Sequence, residues 1–173
     1  MRRFVRGLCA PVVGLLVLAA GCEGKHAGSP TERLWVSGVP KNPKATLTAF
    51  VTARTTGDKY IGAFFSGSMV RGGHDVFEWK SEGEDAARLR FLQDDQTHAL
   101  RFETCEPSTG FDYCILMHGD PTRTKRYQSR KRWTVRRPGK KQAVPSVTEV
   151  LLELAEDDAD LRAALSPASD SMP

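Results

Sequence analysis

The stretch DVFEWKSEGEDAARLRFLQDDQTHALRFET, residues Asp75 to Thr104, alternates apolar and charged side chains in short runs. Phe77 and Trp79 bracket Glu78, Leu89 and Phe91 alternate with Arg88 and Arg90, and Leu100 and Phe102 bracket Arg101. A period of two sends successive side chains to opposite faces of an extended backbone, so each run is a strand with one dry and one wet face. Glu82-Gly83-Glu84 and Asp94-Asp95-Gln96 supply the polar and glycine chemistry of the hairpin loops between them.

Outward from this stretch the same grammar continues. Thr46 to Thr52, Lys59 to Phe65, Phe111 to Met117 and Tyr127 to Val135 are further strand-like runs, and Leu34-Trp35-Val36 is a candidate first strand. Thr56-Gly57-Asp58 and Arg71-Gly72-Gly73 read as loops. The series specifies a mainly β fold, a small antiparallel β-barrel or sandwich of about seven to eight strands, closed by a C-terminal α-helix. That helix, residues 146–166, opens on the capping box Ser146 to Glu149 and carries Val147, Val150, Leu151, Leu154, Leu161 and Leu165 on one face, with Pro167 as its stop. An amphipathic helix of this kind is expected to pack on the sheet.

The N-terminus is different in kind. Arg2, Arg3 and Arg6 precede an apolar run from Leu8 to Ala20, too short to span a bilayer, which needs roughly 20 apolar residues, and interrupted by Pro11 and Gly14. It ends on Leu18-Ala19-Ala20-Gly21-Cys22, which resembles the lipobox of bacterial lipoproteins. The resemblance implies that Cys22 receives a diacylglycerol on its sulfur, that cleavage before it makes it the first mature residue, and that the chain is held at the membrane by this lipid. In Gram-negative members of that class an Asp after the cysteine retains the protein at the inner membrane. Glu23 stands here, which implies the outer membrane, on its periplasmic or surface face, where there is one. The expected organisation is a signal peptide at 1–21, a tether at 22–44 rich in Gly, Ser and Pro, the β domain at 45–137, a linker at 138–145, the helix at 146–166 and a tail at 167–173.

Cysteine usage agrees with export. With Cys9 removed and Cys22 acylated, Cys105 and Cys114 remain, flanking the turn-rich segment EPSTGFDY. A pair left over in an exported chain reads as a structural disulfide across a hairpin.

Charge excludes one class of partner. The signal carries three of the 25 Lys and Arg and none of the 21 acidic residues, so the mature chain holds 22 against 21, or +1. A high whole-chain pI is therefore no nucleic-acid signature. The charge is instead segregated, with ten basic residues and no acid from Arg123 to Lys141, and seven acids against Arg162 alone from Glu149 to Asp170. Read as one strand, Arg126 to Arg136 points Arg126, Arg130, Arg132 and Arg136 to one side and Tyr127, Trp133 and Val135 to the other. This arginine row is a candidate binding surface for an envelope protein or an anionic surface. It is also a candidate partner for the acidic stripe Glu149, Glu153, Glu156 and Asp160 on the helix.

Motifs for chemistry are sparse. The sequence contains no phosphate loop, nucleophile elbow or zinc-binding histidine pair, and implies neither metal nor cofactor. Arg71-Gly72-Gly73-His74-Asp75 is a weak candidate site, in which glycine amides beside Arg71 and a His74–Asp75 pair could approach an anion; a hairpin turn explains the same residues. The sequence thus points to a non-catalytic, lipid-anchored binding or structural module of the envelope. The alternative is a lipocalin-like barrel enclosing an apolar small molecule among Phe64, Phe65, Phe77, Trp79, Phe91, Phe102, Tyr113 and Trp133.

Overall fold

The computed structural model describes residues 30–42, 44–55, 59–68, 71–135 and 146–166. The signal peptide, Cys22, the Thr56–Asp58 loop, Arg136, the 138–145 linker and the 167–173 tail lie outside the described residues.

Eight strands form a closed antiparallel barrel in which every strand pairs with its neighbours in sequence. They are β1 (Leu34–Val36), β2 (Leu47–Arg54), β3 (Lys59–Gly67), β4 (Gly72–Ser81), β5 (Ala86–Phe91), β6 (Thr97–Thr104), β7 (Tyr113–His118) and β8 (Arg126–Ser129). The β1–β8 pair closes the ring through Val36↔Gln128, removing the unpaired edges that an open sheet would expose. Because β1 makes this closure, the ordered barrel begins at Leu34, inside the stretch that reads as tether.

The interior is aromatic. Trp35, Phe50, Phe64, Phe77, Trp79, Phe102 and Tyr127 belong to one buried cluster that also holds Leu89, Leu100, Ile115 and Met117. On β4, β5 and β6 these alternate with exposed side chains, as the period of two requires. Strands β1 and β2 do not alternate: Leu34–Val36 and Leu47–Ala53 are buried throughout. Their outward side chains Leu34, Val36, Leu47, Ala49 and Val51, with Ala63 and Phe65 of β3, form a second core beneath Val147, Val150, Leu151, Ala155 and Leu161. A sheet segment covered on both faces is apolar on both faces, which is why this part of the chain is near-continuously hydrophobic.

The C-terminal segment is two helices, α1 (Val147–Asp157) and α2 (Ala159–Leu165), rather than one. Ser146 Oγ accepts from the Glu149 amide as the capping box specifies. The break falls at Asp158, whose extended backbone (φ −122°, ψ 100°) ends α1 while its carboxylate caps α2 by accepting from Leu161 N–H. A capping side chain competes with the helix it interrupts.

Cys105 and Cys114 are joined by a disulfide, Cα to Cα 5.0 Å. It staples the β6–β7 hairpin beside the Cys105 N–H to Cys114 C=O bond of 3.1 Å. Gly110, in the connecting segment, takes the left-handed φ of 85° that a side chain would disfavour.

Candidate functional site

The arginine row does not form as one strand. Val36 pairs with Gln128, and three residues back along β1 Arg33 pairs with Thr134, six residues on. The surplus is Arg130-Lys131-Arg132, which loops out with Trp133 N–H on the Arg130 carbonyl and Thr134 N–H on the Arg132 carbonyl. A bulge of this kind re-aims the side chains that follow. The strict alternation expected from Arg126 to Arg136 is thereby broken after Ser129.

The consequence is that Arg130 turns inward. Its guanidinium lies under the α1–α2 junction, where Nη1 donates to Asp158 Oδ1 and Oδ2 at 2.7 and 2.8 Å and Nη2 to Asp160 Oδ2 at 2.9 Å. Its carbon Cζ sits 5.3 Å from the Trp133 ring centre and 5.6 Å from that of Phe111. Arg132 Nη2 reaches Asp158 Oδ2 at 2.7 Å, and Trp133 Nε1–H donates to the same oxygen at 2.9 Å. Burial pushes the Asp158 carboxyl up; the Leu161 amide, Arg132, Trp133 and Arg130 outweigh it and hold the group below its ordinary range. Asp158 is wholly buried, so this is a desolvated carboxylate retained as an anion by its partners.

The acidic partner is therefore Asp158, with Asp160, and not the row of helix glutamates. Arg130 cannot belong to an outward binding surface. Arg126 remains exposed, donating to the Glu106 carbonyl at 2.5 Å. Beneath the bulge Arg33 donates to the Arg130 carbonyl at 2.6 Å and lies over the Tyr113 ring at 4.4 Å. Desolvation lowers the Arg33 pKa, with Tyr113 and Asp112 partly offsetting it. The assembly as a whole is a clamp: it ties the shortest strands of the barrel to the helical cover at the seam where the ring closes.

In the segment Arg71 to Asp75 the strand pairing sends His74 and Asp75 to opposite faces. Gly72 to Asp75 are the first residues of β4, paired to β3 as Phe65↔His74 and Phe64↔Asp75. His74 thus shares the outer face with Phe65, its ring centre 5.0 Å away, while Asp75 lies on the face of Phe64. Neighbouring residues of a strand point apart. Gly72 is required for packing, since a Cβ there would meet the Phe65 ring at 2.3 Å.

The aromatic residues divide between the two cores. Phe65 and Trp133 pack outside the barrel under the helices. Inside, Phe50 of β2 lies 6.4 Å from Trp79 of β4 and 5.0 Å from Tyr127 of β8, and Trp79 lies 5.3 Å from Phe102 of β6. Each of these contacts skips a strand, so the rings meet across the interior and fill it with one another, as a packed core does. At one end of the barrel Tyr127 O–H donates to Asp120 Oδ2 at 2.8 Å, and burial followed by the Asp120 charge raises its pKa.

Asp158, Arg33 and Asp120 escape sequence reasoning. Only Asp158 has a local signal, an N-cap aspartate three residues before Leu161 inside an apparently continuous helical pattern. Among the described residues no group of His, Cys, Asp and Glu could hold a metal ion, and no helix is long and apolar enough to cross a membrane. No family model, no curated protein and no solved structure matches the chain.

Proposed function

We propose that the protein is a lipid-anchored component of the bacterial cell envelope, whose barrel is a non-catalytic binding or structural module. The observation that carries this reading is Leu18-Ala19-Ala20-Gly21-Cys22 behind a short, positively led apolar run. The Cys105–Cys114 disulfide supports it, because such bonds persist in oxidising compartments outside the cytoplasm. The packed interior favours recognition through the outer surface over an apolar ligand held within. In this reading the partners are the membrane, through the acylated Cys22, and an envelope protein or anionic surface met by the barrel wall; nucleic acid has no part.

Mass spectrometry of the protein taken from its native envelope tests the anchor. The expected result is a mature chain beginning at Cys22 and carrying acyl mass. In Cys22→Ser the thioether cannot form, so the acyl mass is lost and the precursor accumulates. A mature N-terminus elsewhere, or an unmodified Cys22, overturns the reading.

A further inference from the structure

The strand register places a row of cations on the bare wall of the barrel. Lys59 of β3 lies directly opposite Lys80 of β4, and Lys80 lies opposite Arg88 of β5. Arg88 is opposite Ala99, and Arg101, two residues further along β6, continues the row on the diagonal. All four are exposed. Like charges directly opposite one another in a sheet are destabilising, with side chains about 5 Å apart at the Cβ atoms. Only Arg88 has a carboxylate in reach among the described residues, Glu82 at 2.8 Å. Of the carboxylates on the same wall, Glu78 is engaged by Arg90 at 2.8 Å, and Glu103 stands 3.2 Å from His118 Nε2. Glu84 and Asp85 lie off the wall, in the turn between β4 and β5.

The row is also placed at the end of the barrel where the chain comes in. Consecutive antiparallel strands put the start of β1, the β2–β3 hairpin, the β4–β5 hairpin and the β6–β7 hairpin at one end. Lys59 begins β3, Lys80 is next to the last residue of β4, and Arg88 and Arg101 fall in the adjoining halves of β5 and β6. Eight Cα-to-Cα steps lead from Cys22 to Pro30. Fully extended they reach at most about 29 Å, so an anchor at Cys22 keeps this end of the barrel near the bilayer.

We infer that Lys59, Lys80, Arg88 and Arg101 dock the barrel wall on the anionic headgroups of the membrane that holds the anchor. Anionic headgroups relieve the mutual repulsion of the row, and the tether supplies the local concentration that so small a patch needs. The inference rests on the anchor reading above, and it moves the candidate surface from the arginine segment, in which Arg130 and Arg132 are bound to Asp158, to the wall formed by β3 to β6.

The test uses the acylated protein in vesicles of phosphatidylcholine alone or with phosphatidylglycerol, labelled with a water-soluble amine-acylating reagent and read by peptide mass spectrometry. Lys59 and Lys80 should label several-fold more slowly on the anionic vesicles. Lys41, Lys44 and Lys125, in loops at the far end, should label equally on both. High salt should abolish the protection, and Lys80→Ser should weaken binding of the unacylated protein to anionic vesicles about five-fold. Equal labelling of Lys59 and Lys80 on both vesicles overturns the inference. So does protection seen only in whole envelopes, which would assign the wall to a protein partner. Flotation with neutral vesicles reads the anchor separately, so a failure of the anchor and a failure of the wall are distinguishable.

Discussion

Asp158→Ala should be among the most damaging single substitutions in this chain. The side chain is wholly buried and accepts from Arg130, Arg132, Trp133 Nε1 and the Leu161 amide. Removing it leaves a nearly buried guanidinium whose remaining carboxylate partner is Asp160, at 2.9 Å on the exposed side of α2. It also orphans an indole N–H and deletes a helix cap. Breaking one partner of a buried ion pair costs about 3–5 kcal/mol. An unsatisfied buried donor costs about 1–3 kcal/mol and a lost N-cap about 1 kcal/mol. These losses share atoms and are not additive, so the expected total is about 4–5 kcal/mol, a large part of the 5–15 kcal/mol typical of a domain. Urea unfolding followed by far-ultraviolet circular dichroism measures it as a fall in midpoint at constant slope. The double variant Arg130→Met with Asp158→Leu should recover much of the loss, because apolar side chains can replace a buried pair at little cost. A loss below about 1 kcal/mol for Asp158→Ala, or a double variant no better than the single one, would refute the assignment of a buried, load-sharing ion pair at the barrel seam.

Other consequences are directly measurable. Because the folded Asp158 pKa is depressed, its contribution is complete above the unfolded value of about 4 and is lost as pH falls through the lower folded value; thermal midpoints should drop below about pH 4, and less steeply in the Arg130→Met, Asp158→Leu variant. Replacing both Cys105 and Cys114 by serine, or reducing the bond, should cost about 2–3 kcal/mol from the freed hairpin, read as a lower denaturant midpoint with the barrel spectrum retained. In Gly62→Ala the new Cβ would stand 2.5 Å from the Phe77 ring and from the Val51 carbonyl, so overpacking should destabilise by about 1–3 kcal/mol; an unchanged midpoint would mean that β2 and β3 lie further apart at this point. Leu151→Ala, beneath α1, should cost about 2–5 kcal/mol and loosen the helical cover before the barrel, measured as faster amide exchange in α1 than in β4 to β6.

The sequence by itself determined the β elements and their faces. Strands from Leu47 to His118 were legible because their signals are local: a period of two in β4 to β6, a β-rich composition in β2, β3 and β7, turns with glycine or aspartate, and a cysteine pair closing its own hairpin. The helical segment and its leucine face were legible for the same reason, and so were the charge blocks. Barrel against sandwich was not, because the choice depends on whether β1 meets β8, a contact between residues 36 and 128 that no local pattern encodes. The role of the arginines was hidden for a related reason. A loop-out of Arg130-Lys131-Arg132 leaves the composition of the segment unchanged while turning Arg130 from the expected wet face to a place beneath the α1–α2 junction, where a desolvated Asp158 awaits it. Conversely, the cations of the outer wall are scattered through four strands in sequence and become a row only when the register sets them side by side. Periodicity fixes which way a side chain faces relative to its neighbours in the chain; what it faces is decided by long-range pairing, and both the clamp at the seam and the proposed membrane surface are properties of that pairing.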